Sequence, residues 1–170
     1  MISAIVAVDK DWGIGYQGKL LEHLPPDLEY FKELTTNNIV VMGRKTWDSL
    51  PQRPLQNRFN VIITRNPKHF HDFSNKGSSY MSLDLRETIN LIKDPFQRNE
   101  IFIIGGEEIY KQLLPYCDRV YVTMIEKYHK DIDAYFPNLD KDPNWEVSTC
   151  TELRNYKNIP YAFLTYDRIS

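Results

Sequence analysis

Cysteine is scarce. Cys117 and Cys150 are the only two in 170 residues, with no C-x-x-C and no metal-ligand spacing. That excludes a disulfide framework and a cysteine-rich zinc site, and predicts two reduced thiols in a cytoplasmic protein. Histidine is almost as sparse: His23, His69, His71 and His129. His69 and His71 lie two apart in a polar segment without further ligands, so both read as surface residues and no metal is expected. An excess of one charge is missing too, since 21 basic and 23 acidic residues leave a net charge of −2. No basic field calls for nucleic acid, and no basic amphipathic segment suggests a membrane surface. The longest apolar runs fall far short of the ~20 residues that span a bilayer. The first residues, Met1-Ile2-Ser3-Ala4-Ile5-Val6-Ala7-Val8, lack a basic flank and turn acidic at Asp9. They read as a strand, not a signal peptide. Neither a G-x-G-x-x-G nor a Walker motif occurs.

What is present is an ordinary globular composition. A hydrophobic fraction of 42% against 26% charged excludes disorder, and the length suits one domain over residues 1–170. Continuous apolar runs at Ile2–Asp9, Ile39–Met42, Asn60–Thr64 and Glu100–Ile104 predict buried parallel strands. Ser79–Met81 suggests a short strand after a loop over 68–77. Arg119–Ile125 alternates as a strand does. Helical spacing predicts helices at Pro25–Thr36, Leu83–Ile92 and Glu107–Leu114, and a short one after Gly43 that Pro51 stops. Asp11–His23 has no period and reads as a long loop, a length that is often functional. Trp145–Leu153 and Tyr161–Arg168 flank a turn and predict an antiparallel hairpin. The expectation is therefore α/β: three layers, a mainly parallel central sheet of about eight strands with a C-terminal antiparallel hairpin, and about four helices.

Within that frame one acid stands out. Pro25-Pro26 starts a helix on which Leu24, Leu28 and Phe31 form an apolar stripe, and Asp27 lies on the edge of that stripe. A carboxylate beside apolar groups costs free energy unless a protein group or a ligand pairs with it. A solvated first-turn acid is the plainer reading, because the helix dipole favours one there. Ligands of open α/β sheets bind at the carboxyl ends of strands. Three predicted ends carry suitable residues: Gly43-Arg44-Lys45-Thr46, Thr64-Arg65 and Gly105-Gly106. Small residues at a helix start admit a phosphate, and Arg44, Lys45 and Arg65 suit a compact dianion such as a ribose 2′-phosphate.

Taken together, Ile2–Ala7, Gly13-Ile14-Gly15, Leu24-Pro25-Pro26-Asp27-Leu28, Phe31-Lys32, Met42–Leu50, Ile104-Gly105-Gly106 with Ile109-Tyr110, and Thr123 with Phe136-Pro137 resemble dihydrofolate reductase over essentially the whole chain. The resemblance implies NADPH-dependent reduction of 7,8-dihydrofolate to tetrahydrofolate, by hydride transfer to C6 and protonation of N5. It also implies a cytoplasmic monomer that binds antifolates and no metal. Asp27 would hold the pterin 2-amino group and N3, with Thr123 supporting the carboxylate. Ile5, Ala7, Leu28, Phe31, Leu50, Leu55, Ile104 and Tyr110 would wall the pterin, benzoyl and nicotinamide sites. Arg58 would grip the glutamate α-carboxylate, with Arg53 as its rival. Ala7, Ile14, Gly43, Arg44, Lys45, Thr46, Ile63, Thr64 and Arg65 would bind the cofactor. So would Ile104, Gly105, Gly106, Glu107, Glu108, Ile109 and Tyr110. Asp133 would hydrogen-bond the loop before the first helix. One departure is plain. Leu20-Leu21-Glu22-His23 replaces the family's frequent Pro-Trp, whose tryptophan helps position the active-site water. Glu22 then either points to water or joins the catalytic set by sharing the water near Asp27, raising the apparent pKa of the pair. A riboflavin-synthesis reductase on the same fold and a non-catalytic nucleotide-binding module are the rival readings.

Overall fold

The computed structural model describes residues 1–66 and 80–169. The four buried runs form β1 (Ile2–Val8), β3 (Ile39–Gly43), β4 (Phe59–Ile63) and β6 (Ile101–Gly105). They pair in parallel, with β1 beside β6, β6 beside β3 and β3 beside β4. Each is apolar on both faces because helices cover both faces. Strand alternation sorts the side chains. Ala4, Val6, Val41, Val61 and Ile103 point to one face, under α3 (Leu85–Ile92) and α4 (Glu107–Leu113). Ile5, Val40, Met42, Ile62 and Phe102 point to the other, under α1 (Pro25–Thr35) and α2 (Arg44–Ser49). The result is three layers, with four α-helices among the described residues.

The full order is β10-β11-β7-β1-β6-β3-β4-β5, with β9 also on β11. These are β5 (Tyr80–Leu83), β7 (Arg119–Ile125), β9 (Trp145–Cys150), β10 (Arg154–Tyr156) and β11 (Ile159–Arg168). The sheet thus has nine strands among the described residues. The hairpin forms as expected, but its flank at Arg154–Tyr156 is itself a strand, closed on β11 by a turn in which Lys157 and Asn158 both have positive φ. The cross-strand pair Arg119–Asp167 fixes the β7–β11 register, with Nε donating to Oδ1 at 2.6 Å and Nη2 to Oδ2 at 3.2 Å.

Other boundaries move for local reasons. Leu83 ends β5 rather than starting α3, because Asp84 caps that helix by accepting the Glu87 N–H at 2.7 Å. Pro115 does not stop the chain after α4; it occupies the first turn of a 3-10 helix at Leu114–Tyr116, where its missing N–H costs nothing. The long loop holds a small strand, β2 (Gly13–Gly15), paired with β8 (Ala134–Tyr135). Neither is long enough to show a period. Asp133 beside β8 accepts the Gln17 N–H at 2.9 Å, as the resemblance implies. The stripe on α1 is only partly buried: Leu24 is in the core, but Leu28 is 43% exposed. Ser79, the loop over 68–77 and the two histidines His69 and His71 lie outside the described residues. No helix among the described residues is long and apolar enough to cross a membrane.

Candidate active site

The β1–β7 register places Thr123 beside Ala7. Thr123 is buried, and its Oγ1 donates to Asp27 Oδ1 at 2.5 Å across to the first turn of α1. Burial pushes the Asp27 carboxyl above its ordinary range, and the Thr123 hydrogen bond offsets part of that rise. No cation pairs with Asp27 among the described residues.

Asp27, Phe31 and Thr35 follow one another at four-residue spacing, so they share one face of α1. The far end of that face meets a cation. Arg58, just before β4, is 9% exposed. Its Nε donates to the Gln56 carbonyl at 2.9 Å and its Nη1 to Thr35 Oγ1 at 3.1 Å. Its guanidinium lies 5.7 Å from the Phe31 ring centre. Burial lowers its pKa, and no acid pairs with it among the described residues. The rival Arg53 is exposed and tied to Asp48 at 3.1 Å. One face of α1 therefore carries an acid without a cation at one end and a cation without an acid at the other. Eight residues at 1.5 Å each separate Asp27 from Thr35 by about 12 Å. Ile5, Phe31, Leu50, Leu55 and Ile104 belong to one apolar cluster on this side of the sheet. Such a groove suits a ligand with a donor-rich ring edge at one end and a carboxylate at the other.

A second region lies at the carboxyl ends of β6, β3 and β4. Register sets Met42 against Gly105 and Gly43 against Ile63. The turns they lead into touch. A Cβ on Gly43 would stand 2.9 Å from Ile109 Cγ1, and one on Gly106 would stand 3.6 Å from Thr46 Oγ1. Gly105, whose peptide bond to Gly106 is cis, has φ of +116°, and a Cβ there would stand 3.1 Å from the Tyr110 ring. Beside these turns opens a cleft of about 530 Å³ whose lining includes Thr64, Arg65, Arg86, Glu108 and Gln112.

The chain matches the family model "Dihydrofolate reductase" over residues 1–168. The chain belongs to the dihydrofolate reductase family. It is 38% identical over 170 residues to the dihydrofolate reductase of Bacillus subtilis, covering 99% of this chain and 95% of that one. The Buchnera aphidicola dihydrofolate reductase is 37% identical, over 92% of this chain and 90% of its own. A dihydrofolate reductase from Enterococcus faecalis, solved in complex with NADP(H) and RAB-propyl, superposes with a TM-score of 0.80 at 35% identity. That match covers all of this chain and 97% of the other.

Against the family pattern, several residues stand elsewhere than the sequence suggests. Arg44 is exposed and bonded to Asp48 at 3.3 Å, and neither it nor Lys45 lines the cleft of Arg65. Arg86, unremarked in the sequence, lines it instead, because the Asp84 cap turns the start of α3 toward the end of β4. The only signal available was its place in that first turn. Tyr110 belongs to the other core cluster, with its ring beside Gly105. Its ring is buried on the α3–α4 side, and its hydroxyl donates to the Ile5 carbonyl at 2.7 Å. Ile14 packs on that side too. Glu107 accepts the Tyr135 N–H at 3.1 Å, which ties α4 to β8. Glu22 does not share a site with Asp27: its Oε1 is taken by Lys127 at 3.0 Å and His129 at 2.9 Å. Desolvation opposes its charge, yet the bonds from His129 and Lys127 outweigh it and hold its pKa below the ordinary value. That is the reverse of the rise that sharing the water near Asp27 would bring.

Glycine identity can be tested at two turns. At Gly105, Ala adds a positive φ to a clash with the Tyr110 ring, so Gly105→Ala should cost roughly 2–3 kcal/mol. Gly18 has φ of +75° but open space, so Gly18→Ala should cost only about 1 kcal/mol. Denaturant midpoints measure both, and equal losses would contradict the Tyr110 contact.

Proposed function

We propose that the groove between Asp27 and Arg58 binds dihydrofolate, and that the turns at Gly43, Gly105 and Gly106 with the Arg65 cleft bind NADPH, for the reduction that this family carries out. The unpaired Asp27–Arg58 combination along one face of α1 carries the reading. A pterin offers a donor-rich edge to Asp27, and its glutamate tail offers a carboxylate to Arg58. A ribityl-phosphate substrate would lay a hydroxyl-rich chain against the apolar walls of Phe31 and Leu50, and a nucleotide-binding module has no use for Asp27 at all.

When bound at these turns, NADPH would supply the hydride for C6 of dihydrofolate. The glycine turns fit it, because any Cβ there would fill the space a backbone approach needs, and Arg65 and Arg86 carry no acid partner among the described residues. Asp27 holds the pterin N3 and 2-amino group and favours the protonated substrate, while Thr123 orients the carboxylate. A pterin held by N3 and its 2-amino group would carry N5 on its far side, out of reach of the carboxylate, so a water would deliver that proton. Ile5, Ala7, Phe31, Leu50, Leu55 and Ile104 exclude bulk water, and Leu28 joins them from the exposed side of α1. Glu22 has no direct part. The same groove would take antifolates. We read residues 1–170 as one catalytic domain, monomeric and cytoplasmic.

The cofactor reading predicts a preference for NADPH over NADH. Arg65→Ala should lower kcat/KM with NADPH by roughly 5- to 30-fold, about 1–2 kcal/mol for a charge-assisted contact at an exposed site, and leave NADH unaffected. Equal kcat/KM for both cofactors in the unsubstituted protein would remove the assignment.

A further inference from the structure

Asp9 follows β1 directly and is completely buried. A carboxylate there needs partners, and four donors supply them. Its Oδ1 accepts the N–H groups of Asp11 and Gly13, both at 2.9 Å. Its Oδ2 accepts the His129 N–H at 3.1 Å and faces the ring nitrogen Nδ1 at 3.0 Å. The other ring nitrogen, Nε2, faces Glu22 Oε1 at 2.9 Å. One imidazole thus bridges two carboxylates.

The charged groups around the ring are few. Asp9 comes from the end of β1, Glu22 from the segment entering α1, and Lys127 from the segment after β7, on Glu22 at 3.0 Å. Farther out, Lys10 pairs with Glu126 at 3.8 Å and lies over the Tyr128 ring. The His129 and Glu22 side chains are only 15% and 19% exposed, so this is no solvated surface network. Its position matters. Ala7 and Thr123 lie on the two strands it follows, and Glu22 lies five residues before Asp27 in the chain. Leu24 N-caps α1 without a side-chain hydrogen bond, so the helix entry has no local lock of that kind.

We infer that His129 is a positioning residue: by bridging Asp9 and Glu22 it fixes the entry to α1, and with it the Asp27 carboxylate, against the ends of β1 and β7. The inference rests on Asp27 being the group that holds the substrate.

Amide hydrogen exchange on the full chain tests this, with dihydrofolate KM and kcat measured alongside. The Asp27 and Leu28 N–H groups donate to the Leu24 carbonyl at 3.0 and 3.1 Å, so they report the helix entry. In His129→Asn the amide reproduces the bond to Asp9 but cannot reach Glu22, so protection of these two amides should fall roughly three- to tenfold, and KM should rise more than kcat falls. In Glu22→Gln the amide still pairs with the ring, so protection and KM should stay close to those of the parent. Parent-like protection in His129→Asn would overturn the clamp. Loss of protection without a change in KM would overturn its positioning role. Neither outcome touches the Asp27 assignment, which the Asp27→Asn variant tests separately.

Discussion

Asp27→Asn is expected to fold, to bind NADPH, and to lose at least ~100-fold in kcat/KM for dihydrofolate at neutral pH. Two charge-assisted bonds to the pterin edge become neutral ones, and one loses its acceptor, which amounts to about 3 kcal/mol. Activity should recover toward acid, where the substrate is protonated in solution and needs less help. The same variant should be more stable than the parent near neutrality. Folding raises the Asp27 pKa, so the folded state prefers the protonated acid. That preference favours the folded state below the unfolded pKa and is lost as pH rises through the folded pKa. Above that window the buried charge is a net cost, and asparagine, which can still accept from Thr123, removes it. Thermal melts at about pH 4 and pH 8 read the difference, which should grow with pH. A destabilised variant would mean that Asp27 has a partner beyond Thr123.

Arg58→Ala is expected to weaken ligands with a glutamate tail by about 2–5 kcal/mol while leaving tail-less pteridine inhibitors nearly unaffected. The guanidinium uses Nε and Nη1 on Gln56 and Thr35, which leaves donors for a carboxylate. Arg58→Lys keeps the charge but loses the fork, so it should recover only part of the affinity. Titration of both ligand classes against both variants decides it. An equal loss for both classes would show that Arg58 serves the fold through Thr35, not the ligand tail.

Much of this was legible in the chain because the signals were local or periodic. Runs such as Ile39–Met42 can only be central strands, and Pro25-Pro26 marks the start of α1. The Gly43 and Gly105-Gly106 turns mark the strand ends, and the register does bring them together. What stayed hidden depends on contacts far apart in sequence. Pairing of Gly13–Gly15 with Ala134–Tyr135 leaves no trace in either segment. Arg86 reaches its cleft through the Asp84 cap and the β4–β5 pairing, and Arg44 turns to Asp48 one helical turn away. Glu22 could face the pocket or water by sequence, and His129, more than a hundred residues away, took it instead.

The most direct test mixes NADPH-saturated protein with dihydrofolate in a single turnover and follows the nicotinamide absorbance from about pH 5 to pH 9. The account predicts rapid loss that requires dihydrofolate, with a rate that falls as pH rises and an apparent pKa above the ordinary carboxylate range. Absorbance loss that does not depend on dihydrofolate, or a hydride rate flat across that range, would contradict it.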